Sequence, residues 1–315
     1  MKKIIYFLII ALLIGGCMKK KKIEKQVKSL PNFDAMWNYQ NPQETEIKFK
    51  EIIPTAKESG DTSYYIELLT QIARTQGLQG KFEEANKILD SAMNLLTDDL
   101  KQAKVRYILE RGRVYNSSGN PEKSKPLFIE AFEIAKANKL DFYAIDAAHM
   151  VGIVVPPENQ LEWSLKALEI TETTTDKRAK GWLGPLYNNI GWTYHDLKEY
   201  DKALALFEKG LKWREEINDE QGVRIQTWNI ARTYRSLGKI EKALEMQKTL
   251  EKEYDEKGIE QDGYVFEEIG ECLLLLNKNE EAKPYFAKAY EYLSKDKWLV
   301  DNEPERLERL KELSE

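Results

Sequence analysis

Two histidines, His149 and His195, and two cysteines, Cys17 and Cys272, are the scarcest reactive side chains in the sequence, and neither pair stands at a spacing that catalysis uses. The histidines are 46 residues apart with no third ligand specified beside them, so neither a metal site nor an acid–base pair is indicated. The cysteines offer no C-x-x-C pair and no disulfide framework. Cys272 begins an apolar run that continues from Leu273 to Leu276, which predicts a buried small hydrophobe rather than a nucleophile. A G-x-S-x-G elbow, a phosphate-binding glycine loop, a zinc-protease motif and a kinase signature are all missing. Recognition is the chemistry that remains. A guanidinium fork can meet a carboxylate or phosphate, and an indole ring supplies rigid contact area. Whether the arginines and tryptophans can do this depends on the elements that bring them onto one surface.

Those elements repeat. Six segments place a small residue twelve positions before a second one: Ala73 and Ala85, Gly112 and Ser124, Gly152 and Ser164, Gly191 and Ala203, Ala231 and Ala243, Gly270 and Ala282. Successive segments are 39, 40, 39, 40 and 39 residues apart, a regularity that marks a solenoid. Small residues at these levels let two antiparallel helices approach closely, while Ile190, Tyr194, Leu204 and Phe207 fill the rest of a seam. Polar turn material such as Gly119-Asn120-Pro121 and Gly238-Lys239 separates the helices. Val154-Val155-Pro156-Pro157 is the one junction with two prolines, and it predicts an irregular turn.

The fourth segment reads Tyr187-Asn188-Asn189-Ile190-Gly191-Trp192-Thr193-Tyr194, then Tyr200, Ala203, Phe207 and Gly210. It resembles the tetratricopeptide pattern of an aromatic residue, Leu, Gly and Tyr in one helix followed by Ala, Phe and Ala in the next. The resemblance covers roughly residues 65–293. It departs from the family in its period, 39–40 residues against about 34, and in substitutes such as Gln247 at the Phe position. Added turns on both helices are the simplest account. The resemblance implies an all-α, right-handed superhelical solenoid of antiparallel helix hairpins. In that family the first helices line a concave surface, with the positions three before, one after and four after the central small residue facing it. Carried over, these are Thr70, Arg74 and Gly77; Leu109, Arg113 and Asn116; His149, Ile153 and Pro156; Asn188, Trp192 and His195; Trp228, Arg232 and Arg235; and Glu267, Glu271 and Leu274. The candidate binding residues are therefore Arg74, Arg113, Asn116, His149, Asn188, Trp192, His195, Trp228, Arg232 and Arg235. They suit a protein or peptide partner, with an acidic segment or a C-terminal carboxylate as the group an arginine would meet. Packing between hairpins is the competing use for the tryptophans, and pairing with glutamates of the adjacent helix is the competing use for the arginines.

The start of the chain is of another kind. Lys2 and Lys3 precede an apolar run from Ile4 to Ile14, too short for a comfortable membrane span, and Ile14-Gly15-Gly16-Cys17 resembles the lipobox of bacterial lipoproteins. That resemblance implies cleavage before Cys17, acylation of its thiol and amino group, and anchoring to a membrane by lipid. Met18 after the cysteine leaves an outer-membrane destination open, if there is such a membrane, and Lys19 to Lys22 form a basic spacer.

The sequence thus divides into a signal peptide at residues 1–16, a tether at 17–28, a divergent capping repeat at 29–60, six hairpins at 61–295 and a capping helix at 296–315. Residues 29–40 are expected to supply the capping repeat's first helix, although Pro31 opposes a long one. A net charge of −5 on a chain that is 32% charged gives no pull toward nucleic acid. The expected function is that of a non-enzymatic, membrane-anchored scaffold or adaptor in the cell envelope, with no cofactor. A non-catalytic module for an extracytoplasmic glycan or small molecule is the alternative.

Overall fold

The computed structural model describes residues 29–315, so the lipobox, Cys17 and the basic tether lie outside the described residues. After a four-residue 3-10 turn at Phe33–Met36, the helices are α1 (Pro42–Ser59), α2 (Thr62–Leu78), α3 (Phe82–Met93), α4 (Lys101–Ser117), α5 (Pro121–Ala137), α6 (Asp141–Val154), α7 (Pro157–Thr173), α8 (Lys177–Lys180), α9 (Leu183–Asp196), α10 (Tyr200–Glu216), α11 (Glu220–Ser236), α12 (Ile240–Lys257), α13 (Gly263–Leu275), α14 (Asn279–Leu293), α15 (Lys297–Asn302) and α16 (Pro304–Ser314). The architecture is an all-α solenoid of helical hairpins. Consecutive helices pair as α2/α3, α4/α5, α6/α7, α9/α10, α11/α12 and α13/α14, and each pair stacks on the next. Among the described residues no helix is long and apolar enough to cross a membrane.

Local chemistry sets the boundaries. Asn41, Asp61, Asp219, Asp262 and Asp296 each accept a backbone N–H from the first turn of the helix that follows, satisfying donors that a helix start leaves orphaned. The hairpin turns use one left-handed residue, for example Gly119 at φ 80° and Gly238 at φ 74°; Lys198 takes the same place at φ 61°. The α6/α7 turn differs because proline cannot adopt that conformation: Val155 and Pro156 run extended, with ψ of 157° and 152°.

The seam between paired helices is an aromatic ring set on a glycine. Phe128, Phe207 and Phe286 are fully buried, and each lies sixteen residues after Gly112, Gly191 or Gly270. A Cβ at Gly112 would sit 2.5 Å from the Phe128 ring, and one at Gly270 would sit 2.8 Å from Phe286. Nothing lies within 4 Å of a Cβ built at Gly152, where the sixteenth residue on is Leu168. In the fifth hairpin the ring is replaced by Gln247, fully buried, with neither amide oxygen nor nitrogen hydrogen-bonded.

The two ends depart from the sequence expectation. Residues 29–40 form the single 3-10 turn and extended backbone rather than a helix, because Pro31 and the loss of repeat pattern leave no helical periodicity. At the other end two helices replace one, since Pro304 starts α16 as its first residue and cannot continue α15. Leu307 and Leu310 of α16 are buried against the last hairpin.

Candidate functional site

The expected residues gather into two clusters on the face made by the first helices. Arg74, Arg113 and His149 border one cavity of about 390 Å³, and Asn116 lines a separate, smaller one of about 130 Å³ that shares Arg74 and Arg113. Asn188, Trp192 and Trp228 border a second, of about 330 Å³. His195, Arg232 and Arg235 lie beside the second but are tied to one another instead. The two histidines are not brought together: the His149 ring packs on Trp182, and His195 packs among Trp192, Tyr200 and Ser236.

In the first cluster the guanidinium groups are already matched. Arg74 reaches Glu110 of the next hairpin at 3.1 Å, while Arg113 binds Glu110 at 2.7 Å and Asp146 of the third hairpin at 2.5 Å. Burial disfavours the charged form of Arg113, but the charges of Asp146 and Glu110 outweigh it and raise its pKa. Burial likewise works against ionised Asp146, and Arg113 and Arg74 hold it below the usual carboxylate range. Burial lowers the pKa of His149, outweighing the Asp146 charge that raises it, and Arg113 adds to the lowering.

A strap of the chain's own crosses this cavity. Asp34 accepts from both terminal nitrogens of Arg106 on α4 and from Arg178 on α8, at 2.6, 2.9 and 3.3 Å. The Trp37 indole donates to Gln71 at 3.0 Å, and the Trp37 and Tyr39 rings stack 4.7 Å apart with the Arg74 guanidinium beside both. Phe33 is buried against Phe49 and Tyr64. Aromatic and charged contacts therefore hold residues 33–39 along the first helices.

In the second cluster Glu268 of α13 receives Arg232 at 3.0 Å and Arg235 at 2.7 and 2.8 Å. Arg232 also donates to Ser236 at 2.7 Å, and His195 Nε2 lies 3.0 Å from the same hydroxyl. Burial and the Arg232 charge lower the pKa of His195. The pattern continues outward: Glu267 and Glu271 pair with Arg306 and Arg309 of α16. Cys272 is fully buried, and burial pushes its thiol up to about 12, far from a nucleophile's range.

The tryptophans behave differently. Trp192 and Trp228 remain half-buried, their rings 5.9 Å apart, and Trp228 meets Tyr264 at 6.2 Å while its indole donates to the Tyr264 carbonyl at 3.2 Å. Asn229 donates to Asn188 at 2.8 Å beneath them. The result is an aromatic ledge open to solvent, floored by amides. Among the described residues no group of three or more His, Cys, Asp or Glu could hold a metal ion.

Comparison with known proteins agrees with this geometry. Residues 182–252 and 265–292 each match a family described as tetratricopeptide repeat. The chain has a tetratricopeptide-like repeat fold. Two solved structures carry the same likeness over more of the chain. The apo form of RapI superposes with a TM-score of 0.64 at 15% identity, over 82% of this chain and 74% of that one. A signal-transduction ATPase with a tetratricopeptide repeat sensor, from Pyrococcus horikoshii, gives 0.63 at 17% identity, over 88% of this chain and 44% of that one. Outer dynein arm-docking complex subunit 4 of Danio rerio is 32% identical over 123 residues, which is 38% of this chain and 25% of that protein. This chain thus spans about a quarter of the length of the curated relative it matches. These likenesses speak for the fold alone.

Within the tetratricopeptide-like frame, sequence reasoning missed Tyr254, Asp262 and Tyr264 around the second cavity, and Asp34, Trp37 and Tyr39 in the first. Tyr264 lies six residues before Gly270, one helical turn beyond the positions carried over, so a longer first helix was the available signal. The strap had none, because it lies outside the repeat.

Proposed function

We propose that this protein is a non-catalytic scaffold that holds a segment of another protein along its first-helix face, tethered to a membrane of the cell envelope by lipid on Cys17. The observation that carries the reading is the ledge of Trp192, Trp228 and Tyr264, large rings left half-buried at an open cavity of about 330 Å³ instead of closed into the core. Rings so placed offer contact area at low entropic cost, the usual composition of recognition hot spots. An acidic segment or terminal carboxylate of the partner would have to displace Glu110 or Glu268 to reach Arg74, Arg113, Arg232 or Arg235, so the ledge is the more accessible anchor.

Cross-linked affinity capture from the native membrane tests the scaffold reading, with the parent beside a Trp192→Ala/Trp228→Ala variant of unchanged helical spectrum. A protein enriched by the parent and lost with the variant supports it. Equal recovery by both places binding elsewhere, and recovery of no protein moves a glycan or small molecule to the front. Labelling with a clickable fatty acid tests the anchor: Cys17→Ser should abolish both label and membrane sedimentation, and retention of either overturns lipid tethering.

A further inference from the structure

The second cavity is bordered by one carboxylate, Asp262, the N-cap of α13. Its only hydrogen bond among the described residues is accepted from the Tyr264 backbone N–H at 2.9 Å, and no Lys, Arg or His nitrogen lies within 4 Å of it. Glu260 and Asp296 share an adjoining cavity with Asp262, and Arg224, the cation that lines the second cavity, is already paired. Arg224 and Lys257 face Glu220 and Glu253 in a closed set of two cations and two anions, with separations of 3.0 to 3.8 Å. Among the described residues Asp262 has no cationic partner and stands as a negative charge in a partly desolvated wall, and burial pushes its pKa up.

The rings give a second, independent sign. Lysine or arginine side chains of the chain itself cover the faces of Tyr143, Trp163, Tyr234, Tyr285 and many other rings. Among the described residues none covers Trp192 or Trp228, whereas Arg306 covers Tyr264, the third ring of the ledge, and Arg224 covers Tyr254 beside it. Indole faces are the best aromatic partners for a cation, and such contacts strengthen when desolvated. Two indoles that no lysine or arginine of the described residues covers, packed on their other sides against Phe207 and Tyr264, border with Asp262 one open cavity of about 330 Å³, room enough for a long side chain.

We propose that this cavity takes the cationic head of a lysine or arginine side chain from the partner segment, its stem lying along Trp192, Trp228 and Ile225 and its charge beside Asp262. This rests on the scaffold reading above for the source of the side chain, and not for the chemistry of the site. Arg224 also lines the cavity, and its pairing with Glu220 and Glu253 offsets its repulsion of the guest.

The test uses the full chain labelled with ¹⁵N, with blocked lysine (N-acetyl-lysine N-methylamide) as probe and the isosteric blocked norleucine as its uncharged control. The lysine probe should move the indole N–H signals of Trp192 and Trp228, and norleucine should leave them in place. Asp262→Asn should weaken the lysine response by roughly tenfold, the scale of a charge-assisted contact. Asparagine caps a helix as well as aspartate, so this variant removes the charge while keeping α13, and Asp262→Ser supplies a second neutral cap with the same expected loss. Equal shifts with norleucine, full binding by both variants, or no shift at any probe concentration would each overturn the inference. A lysine response in a chain that captures no protein supports this site and sinks the scaffold reading; capture without a lysine response does the reverse.

Discussion

Arg106 grips Asp34 through both terminal guanidinium nitrogens, at 2.6 and 2.9 Å, although the two stand 72 positions apart in the chain. The contact pins the strap to the second hairpin and sits on a guanidinium that also serves Glu67 at 3.2 Å. Replacing Asp34 by Asn removes the charge of the strap's anchor but leaves Arg106 one carboxylate, so the cost should be about 2 kcal/mol. Limited proteolysis should then cut residues 29–40 faster while the helices stay intact. Unchanged cleavage would show that Phe33 and Trp37 hold the strap alone.

Acid should loosen the same end of the molecule. Burial raises the pKa of Glu46, but hydrogen bonds from Lys50, Gln76 and Gln79 outweigh it and bring it from its ordinary 4.5 to about 2. Burial also opposes ionised Asp34, and Arg106 and Arg178 lower it below its ordinary 3.8. A carboxylate depressed in the fold stabilises it fully above the unfolded value and loses that contribution as pH falls through the folded one. The N-terminal strap and α1 should therefore loosen between about pH 4.5 and 2. Tryptophan emission, taken as the difference from a Trp37→Phe variant, should change in that window.

Two glycines of one register should respond in opposite ways. Gly191→Ala puts a Cβ into the buried Phe207 ring and should cost about 1–3 kcal/mol, partly recovered by adding Phe207→Leu. Gly152→Ala meets open space within a helix and should stabilise by about 0.5–1 kcal/mol. Thermal melts of the three variants decide it, and a destabilising Gly152→Ala would contradict the geometry.

Gln247 should be a stabilising site. Its fully buried amide has no hydrogen-bond partner, so Gln247→Met, which keeps length and volume, should gain about 1–3 kcal/mol in urea unfolding. A loss would mean the amide is satisfied in solution.

Glu110 is buried between two guanidinium groups. Glu110→Gln leaves Arg74 with no carboxylate and Arg113 with Asp146 alone, so the expected loss is about 3 kcal/mol. An unfolding midpoint equal to the parent's would show that Asp146 suffices for both.

The hairpins were legible because close helix contact demands small residues at a fixed spacing, which survives even where the aromatic is lost, as at Gln247. The same spacing put Arg74, Arg113 and His149 beside one cavity and Asn188, Trp192 and Trp228 beside another. Pairing of the arginines with glutamates of the adjacent helix was one of two uses the sequence left open, and it carries a trace: Arg74 to Glu110, Arg113 to Asp146, Arg235 to Glu268 and Glu267 to Arg306 are separated by 36, 33, 33 and 39 residues. A partner one hairpin along must fall near the repeat period, because the two helices lie side by side. Asp34 with Arg106 and Arg178, at 72 and 144 residues, obeys no period, since an irregular strap can run to any hairpin it reaches.

The strap has a mechanical consequence. Tension entering the chain at residue 29 meets Phe33, Asp34 and Trp37 before it reaches α1, and these grip α2, α4 and α8 together. The load is thereby shared across several hairpins at once instead of peeling the outermost helix away. Pulled from its N-terminal side, the stack should yield first by a short slip as the strap lets go, and only afterward hairpin by hairpin.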